Sequence, residues 1–251
     1  YDSKYMGFMT LDLFKEIINE IEGNIPYITF ASRGEPTLNP DFINMLSYCK
    51  NKFLDIKLNT NASTLNKAKI NAILDVCDTV VFSIDTPDVN QYPDIRVNGD
   101  LNRVLKNIDL FNELRAIHPR GDKVKTRASG VMFNPDIQSE DKYTEVFSPL
   151  FDQTAFVKYN PWEKIYKLPK NEIDTPCHSI FYRFFVWFDG TYNPCDMDYK
   201  STLMSGKDLL KISGSHTVKQ AWSSKRMSEI RDLHKAGKRQ TLDPCKQCPH
   251  K

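Results

Sequence analysis

From Thr10 to about Asn160 the sequence alternates between helical and strand periodicity, and that alternation constrains the fold more than any other feature. Thr10 is placed to cap a helix whose apolar residues recur at helical spacing to Ile21, and Tyr27 to Ala31 then reads as a short buried strand. The pattern predicts helices over Pro40–Cys49, Lys67–Val76, Leu101–Ile117 and Lys142–Phe151. Between them it predicts strands over Leu54–Leu58, Thr79–Ile84, Val124–Phe133 and Ala155–Tyr159, the second of these rich in β-branched residues. Strands separated by helices pair in parallel, because each connection must cross back over the sheet. The fold class is therefore α/β. Five strands are visible and the series opens on a helix, as though one strand and its loop stood in front of it.

After Pro161 the pattern changes. Aromatic-rich Phe181 to Phe188, an Asp189-Gly190 turn and Tyr192 to Cys195 predict a β-hairpin, followed by a helix over about Val218–His234 and a terminal Cys-x-x-Cys loop. With 251 residues, two-fifths of them apolar, the chain can bury a core without disulfides. Lys and Arg number 34 against 32 Asp and Glu, so no strong field marks it for nucleic acid or an anionic membrane. A small-molecule substrate fits better. No apolar run approaches the roughly 18 residues needed to span a bilayer, and Tyr1 to Thr10 has no signal-peptide character. The chain reads as cytoplasmic, and a first residue of Tyr suggests a start inside a longer natural protein.

Ligands of parallel α/β folds gather where the strands end, which directs attention to the residues just beyond each strand. These are Ser32-Arg33-Gly34-Glu35-Pro36, Asn59-Thr60-Asn61, Ser83-Ile84-Asp85, and, on the fourth strand, Arg127 and Ser129. Gly34 permits close backbone approach, Glu35 can accept from an ammonium, and Arg127 can hold a carboxylate through two parallel bonds. Together they suit an amino-acid-like ligand. Taken singly, Gly-Glu-Pro is also a plain turn, Asn59 and Asn61 strand caps, and Arg127 a partner for a surface acid.

Four of the six cysteines fall in the last third. Twelve residues separate Cys177 from Gly190, four more lead to Cys195, and Cys245 and Cys248 form the Cys-x-x-Cys pair. Clustered cysteines in a chain without a secretion signal point to metal before disulfides. Four thiolates hold either a tetrahedral zinc or a four-iron cluster. One knuckle plus two distant cysteines is unlike the paired knuckles of zinc ribbons, which weakens the zinc alternative and leaves it standing. Cys49 and Cys77 read as small buried hydrophobes.

On these residues the sequence resembles the radical S-adenosylmethionine (SAM) superfamily carrying a C-terminal twitch or SPASM auxiliary-cluster domain, and the resemblance spans nearly the whole chain. It implies a partial (β/α)6 TIM-type barrel over residues 1–165 and a cluster domain over 166–251. Gly34, Glu35 and Pro36 look like the family's Gly-Gly-Glu motif, which holds the SAM amino group. Asn59, Asn61, Ser83 and Asp85 fall at positions facing the ribose and carboxylate, and Arg127 at a carboxylate-binding strand position. Cys177, Cys195, Cys245 and Cys248 match the ligands of one auxiliary 4Fe-4S cluster. Arg33 replaces the motif's first glycine. The family's Cys-x-x-x-Cys-x-x-Cys, which holds a second, SAM-binding 4Fe-4S cluster, does not occur in the sequence. In the family it follows the first strand, so the expectation is an N-terminally truncated chain, inactive alone.

For the complete protein the resemblance implies a 5′-deoxyadenosyl radical that abstracts hydrogen, an electron donor such as flavodoxin or ferredoxin, and an auxiliary cluster that accepts the substrate's electron. The chain looks most similar to 2-deoxy-scyllo-inosamine dehydrogenase-like enzymes, which suggests oxidation of a sugar or aminocyclitol alcohol. Asp196 and Asp198, beside Cys195, are candidate bases, and equally plain loop acids. A ribosomal-peptide maturase is the alternative enzyme, and a non-catalytic zinc-stabilised α/β binding protein the alternative outside catalysis.

Overall fold

The computed structural model describes residues 5–204 and 210–250. In chain order the regular elements are α1 (Leu11–Ile21), β1 (Tyr27–Phe30), α2 (Phe42–Cys49), β2 (Asp55–Thr60), α3 (Lys67–Val76), β3 (Thr79–Ser83), a short α4 (Tyr92–Ile95), α5 (Leu101–Ile117), β4 (Lys125–Met132), α6 (Glu140–Phe147) and β5 (Gln153–Lys158). Beyond them lie α7 (Ser179–Tyr182), β6 (Phe185–Val186), β7 (Tyr192–Asn193), α8 (Val218–Trp222) and α9 (Lys225–Lys235).

Glu22 to Tyr159 forms one compact unit. Its five strands make a wholly parallel sheet in the order β1-β2-β3-β4-β5, so every crossover steps to the next position in the same direction. The helices begin where the sequence supplies an acceptor. Asn66 takes the Lys69 amide at 3.0 Å, Asp100 that of Arg103 at 3.1 Å, and Ser139 that of Lys142 at 3.2 Å. Each cap satisfies an amide that lacks an intrahelical partner, worth about 1 kcal/mol against alanine. One face of the sheet is dry: Ile56, Leu58, Val80 and Phe82 are at most 2% exposed, and Phe82 meets Phe111 of α5 edge to face. Cys49 and Cys77 are fully buried here, as small hydrophobes.

The second unit joins the chain up to Ile21 with Asn160 onward. The helix α1 thus packs with the cysteine-bearing residues, whereas the sequence pattern groups it with the strands. Ile17 enters an apolar cluster with Ile180, Tyr192, Met227 and Ile230, and the Glu20 carboxylate accepts the Val218 and Lys219 amides at 2.6 and 2.7 Å, capping α8. Two expectations are corrected in this unit. Phe181 and Tyr182 belong to a helical turn, because Ile180 must reach that cluster, and the hairpin shrinks to the pairs Phe185–Asn193 and Val186–Tyr192. The single helix expected over Val218–His234 is two, since Ser224 adopts extended backbone and its side chain caps α9 on the Met227 amide at 3.3 Å.

Candidate functional site: an open strand-end face and a four-thiol loop

In the first unit the parallel register sets Asn59 beside Val81 and Val81 beside Arg127. Neighbours in register point to the same side, and residues two further along do so again. Asn59, Arg127 and Ser83 therefore share one face, opposite the dry one formed by Leu58 and Phe82. Asn59 Oδ1 and Arg127 Nε are both buried, and neither has a hydrogen-bond partner among the described residues. Strands lie about 4.8 Å apart, so the two backbones stand roughly 10 Å from each other across Val81. A buried polar atom without a partner costs about 1–3 kcal/mol, so one acceptor and one guanidinium left bare at this spacing are what a ligand bearing an amine or hydroxyl and a carboxylate would complete.

Loop geometry above this face comes from Glu35. Its Oε1 accepts from the Thr37 amide (3.1 Å), the Thr37 hydroxyl (2.5 Å) and the Thr60 hydroxyl (2.8 Å), while Oε2 accepts from the Asn61 amide (2.6 Å). Glu35 thus ties the loop after β1 to the end of β2. Pro36 opens the following 3-10 turn, and Gly34 lies at φ +125°, a conformation that residues with a side chain rarely adopt, although a Cβ there would meet nothing within 4 Å. Ser32, two residues earlier, also has positive φ. The Asn61 side chain accepts the Ser63 amide at 2.9 Å and shapes the next turn.

Asp85 is 1% exposed, accepts the Val131 amide at 2.9 Å and pairs with Arg96. Gln138 donates to the Asp85 carbonyl at 2.8 Å and to that of Val131 at 2.9 Å, locking the ends of β3 and β4 together. Of the predicted ligand-facing residues, the structure brings Asn59, Ser83 and Arg127 onto one open face, and engages Glu35 and Asp85 in internal bonds. Arg96 and Gln138, which complete this framework, carry no motif by which sequence reasoning finds them.

In the second unit, Cys177, Cys245 and Cys248 are 6–8% exposed and Cys195 is half-buried. Burial pushes the Cys195 thiol well up, that of Cys245 up to about 12, and that of Cys248 up, with neighbouring thiols adding to it in each case. Bare, these are neutral thiols, and an electrophilic metal would have to draw their protons off. Among the described residues no three His, Cys, Asp or Glu are grouped as around a single ion. The thiols are near enough for each to raise its neighbours. The Cys245–Cys248 turn is held by the Asn171 side chain on the Cys248 carbonyl (2.9 Å) and by the Asn171 amide on the Lys246 carbonyl (2.9 Å).

Of the two acids beside Cys195, Asp198 is fully buried. It accepts from the Tyr166 hydroxyl (2.6 Å), the Thr202 amide and hydroxyl (2.8 and 2.7 Å) and the Leu203 amide (2.7 Å). Four donors make it the brace of the loop that carries Cys195. Asp196 is only partly buried and raises the Cys195 pKa further.

A profile of the radical SAM superfamily matches residues 1–118, and one of an iron–sulfur cluster-binding domain, SPASM, matches residues 177–249. Among curated proteins, a probable GTP 3′,8-cyclase of Methanococcus maripaludis is 35% identical over 103 residues, 40% of this chain and 34% of that protein. A UPF0026 protein of Helicobacter pylori is 25% identical over 108 residues, 41% and 35% of the two chains. The matched stretches thus span about a third of those relatives. Among solved structures, BtrN in complex with AdoMet and 2-DOIA superposes with a TM-score of 0.59 at 13% identity, over 98% of this chain and 82% of that one. Streptococcus suis SuiB bound to precursor peptide SuiA gives 0.62 at 16% identity, over 88% and 59%. The protein anSMEcpe with bound AdoMet gives 0.64 at 15%, over 96% and 76%. At these identities the likeness is one of fold.

Proposed function

Because this chain belongs to the radical SAM superfamily and carries an iron–sulfur cluster-binding SPASM domain, we propose that it serves the dehydrogenation of a sugar or aminocyclitol alcohol, with SAM and a 4Fe-4S auxiliary cluster as cofactors. SAM bound with a reduced cluster supplies what no side chain can, a carbon radical able to take hydrogen from an unactivated C–H bond. The chain's own residues then have separable tasks. Arg127 receives the SAM carboxylate and Asn59 a donor of the same molecule, which fits their orphaned atoms. Glu35 keeps the loop after β1 in the shape that brings its backbone to the ligand. We read the sequential parallel sheet as an arc of a (β/α)6 barrel, with these groups on its inner face.

Cys177, Cys195, Cys245 and Cys248 hold the auxiliary cluster. An alcohol becomes a ketone by losing a hydrogen atom, a proton and an electron. Bound SAM and the cluster would provide for the first and the third, and Asp196, next to Cys195 in the chain, is our candidate to accept the second. The observation that carries the reading is the four-cysteine set, one cluster's worth, in a chain whose fold follows BtrN, crystallised with AdoMet and 2-DOIA, over 98% of its length. A flavodoxin or ferredoxin would supply the reducing electron. The second reading, a peptide maturase, is supported by the likeness to SuiB bound to its precursor peptide, although that match extends over 59% of SuiB.

The test uses the protein expressed over its full natural reading frame, reconstituted anaerobically with iron and sulfide, and given SAM, a reductant and 2-DOIA or related aminocyclitols deuterated at the carbinol carbons. Deuterium in 5′-deoxyadenosine together with a ketone product supports the proposal. Transfer from peptide substrates alone would replace it with the maturase reading.

A further inference from the structure

Arg239 is 1% exposed and lies among the cysteines of the second unit with no ion pair to any described carboxylate. Its Nη1 donates to the carbonyls of Thr175 (3.2 Å) and His250 (2.7 Å), and its Nη2 to those of Cys245 (3.5 Å) and Cys248 (3.4 Å). Its Nε is buried and without a partner among the described residues. One guanidinium thus spans both flanks of the Cys245–Cys248 loop. Taking a cation out of water is expensive, and carbonyl dipoles offset only part of the cost, so an anion is wanting from its surroundings.

His234 adds a second unmet donor. It is fully buried, and its Nδ1 accepts the Cys177 amide at 3.2 Å, which puts the ring proton on Nε2. That Nε2 is buried without a partner among the described residues.

We propose that Arg239 is a positioning residue of the auxiliary cluster, fixing both cysteines of the terminal loop through their carbonyls and supplying the buried cation that raises the cluster's reduction potential, with the His234 Nε2–H as a supporting donor. The proposal rests on the four cysteines holding an iron–sulfur cluster. Four thiolates leave such a cluster negatively charged, and one-electron reduction adds a further negative charge. A fixed cation and N–H donors in a dry surrounding stabilise the reduced form more than the oxidised. This makes the cluster a better acceptor for the electron a substrate radical gives up.

Iron content of the reconstituted wild-type protein is read first: zinc without iron would overturn the cluster reading itself, and this inference with it. Given iron, redox titration followed by electron paramagnetic resonance compares wild type with Arg239→Gln and Arg239→Lys. The Gln variant should show at least a tenfold fall in the ratio of reduced to oxidised cluster at a fixed potential, about 59 mV for a one-electron couple, and the Lys variant a smaller one. Equal midpoints at equal iron content in wild type and Arg239→Gln would overturn the proposal while leaving the cluster in place. Should the Gln variant fail to take up iron, wild-type protein labelled with guanidino-15N arginine decides. Pulsed resonance of its reduced cluster should reveal a nitrogen coupling that changes with the label, and absence of any such coupling overturns the proposal.

Discussion

Glu35→Gln separates a brace from a ligand. The carboxylate accepts three donors on Oε1 and one, the Asn61 amide at 2.6 Å, on Oε2. An amide keeps one oxygen for the first three at neutral rather than charged strength, and turns its NH2 toward the Asn61 N–H, donor against donor. Losing one charge-assisted bond is worth about 1.5–3 kcal/mol, and an amide left unmet adds about 1–3, so the change should cost about 3 kcal/mol. That is somewhat over a hundredfold in a local opening equilibrium. Tryptophan fluorescence is a poor probe, because Trp162, Trp187 and Trp222 all lie outside the Glu22–Tyr159 unit. Amide hydrogen exchange by mass spectrometry, on peptides covering the loop after β1 and the end of β2, reads the effect directly. Exchange there should quicken by about a hundredfold with no SAM present. A change below threefold, together with lost SAM binding, would refute the bracing argument and make Glu35 a direct ligand.

Other outcomes follow from single contacts. Arg127→Ala should weaken SAM binding to the reconstituted protein by about 2–5 kcal/mol in calorimetric titration, as loss of a buried charge pair does, and unchanged affinity would remove Arg127 from the site. Tyr143 is fully buried with a hydroxyl that has no partner among the described residues, so Tyr143→Phe should raise stability by about 1 kcal/mol in urea unfolding; a loss would mean the hydroxyl is bonded after all. Gly130→Ala would set a Cβ 2.6 Å from the Phe156 ring and 2.7 Å from that of Tyr143, and should cost about 1–3 kcal/mol in the same assay. At Asp152, burial raises the pKa but bonds from Thr126 and Arg115 outweigh it and hold the carboxyl below its usual range. The unfolded chain then binds its proton at higher pH than the folded one, so this group's stabilisation is complete above the unfolded pKa and fades as pH falls through the folded value. Asp152→Asn should flatten the acid side of the stability profile, and an unchanged slope would sink the assignment.

Elements with their own punctuation could be read from the sequence. The helices Lys67–Val76 and Leu101–Ile117 have their predicted bounds because Asn66 and Asp100 cap them locally, and the strands at Thr79 and Tyr27 begin where β-branched and aromatic residues do. Elements decided by distant partners could not. Phe181 and Tyr182 have strand-like composition, yet the burial of Ile180 against Met227 and Ile230 coils that segment. The apolar stripe of α1 shows that it packs, and nothing in it shows that Ile17 and Glu20 belong with residues some 200 positions later.

The same limit divides the site. Sequence reasoning names Glu35, Asp85, Asn59 and Arg127 on equal terms, as polar residues where ligands gather, and Asp198 as a candidate base beside Cys195. In the structure each of the three acids is drawn into internal bonds: Glu35 and Asp198 take four donors apiece, and Asp85 takes Arg96 and the Val131 amide. The bare buried atoms are on Asn59 and Arg127. There is a physical reason for this split. A carboxylate buried at a strand end needs donors at once, and the loop amides around it are donors waiting for an acceptor, so acids become the fasteners of such loops. A guanidinium finds few free acceptors there, because the strand carbonyls are spent in the ladder, and it stays open for an anion from outside. Arg239 obeys the same logic in the second unit, where loop carbonyls satisfy its Nη atoms and no carboxylate among the described residues pairs with it. For both arginines the unmet charge, which no spacing rule reports, is the feature that points to what binds beside it.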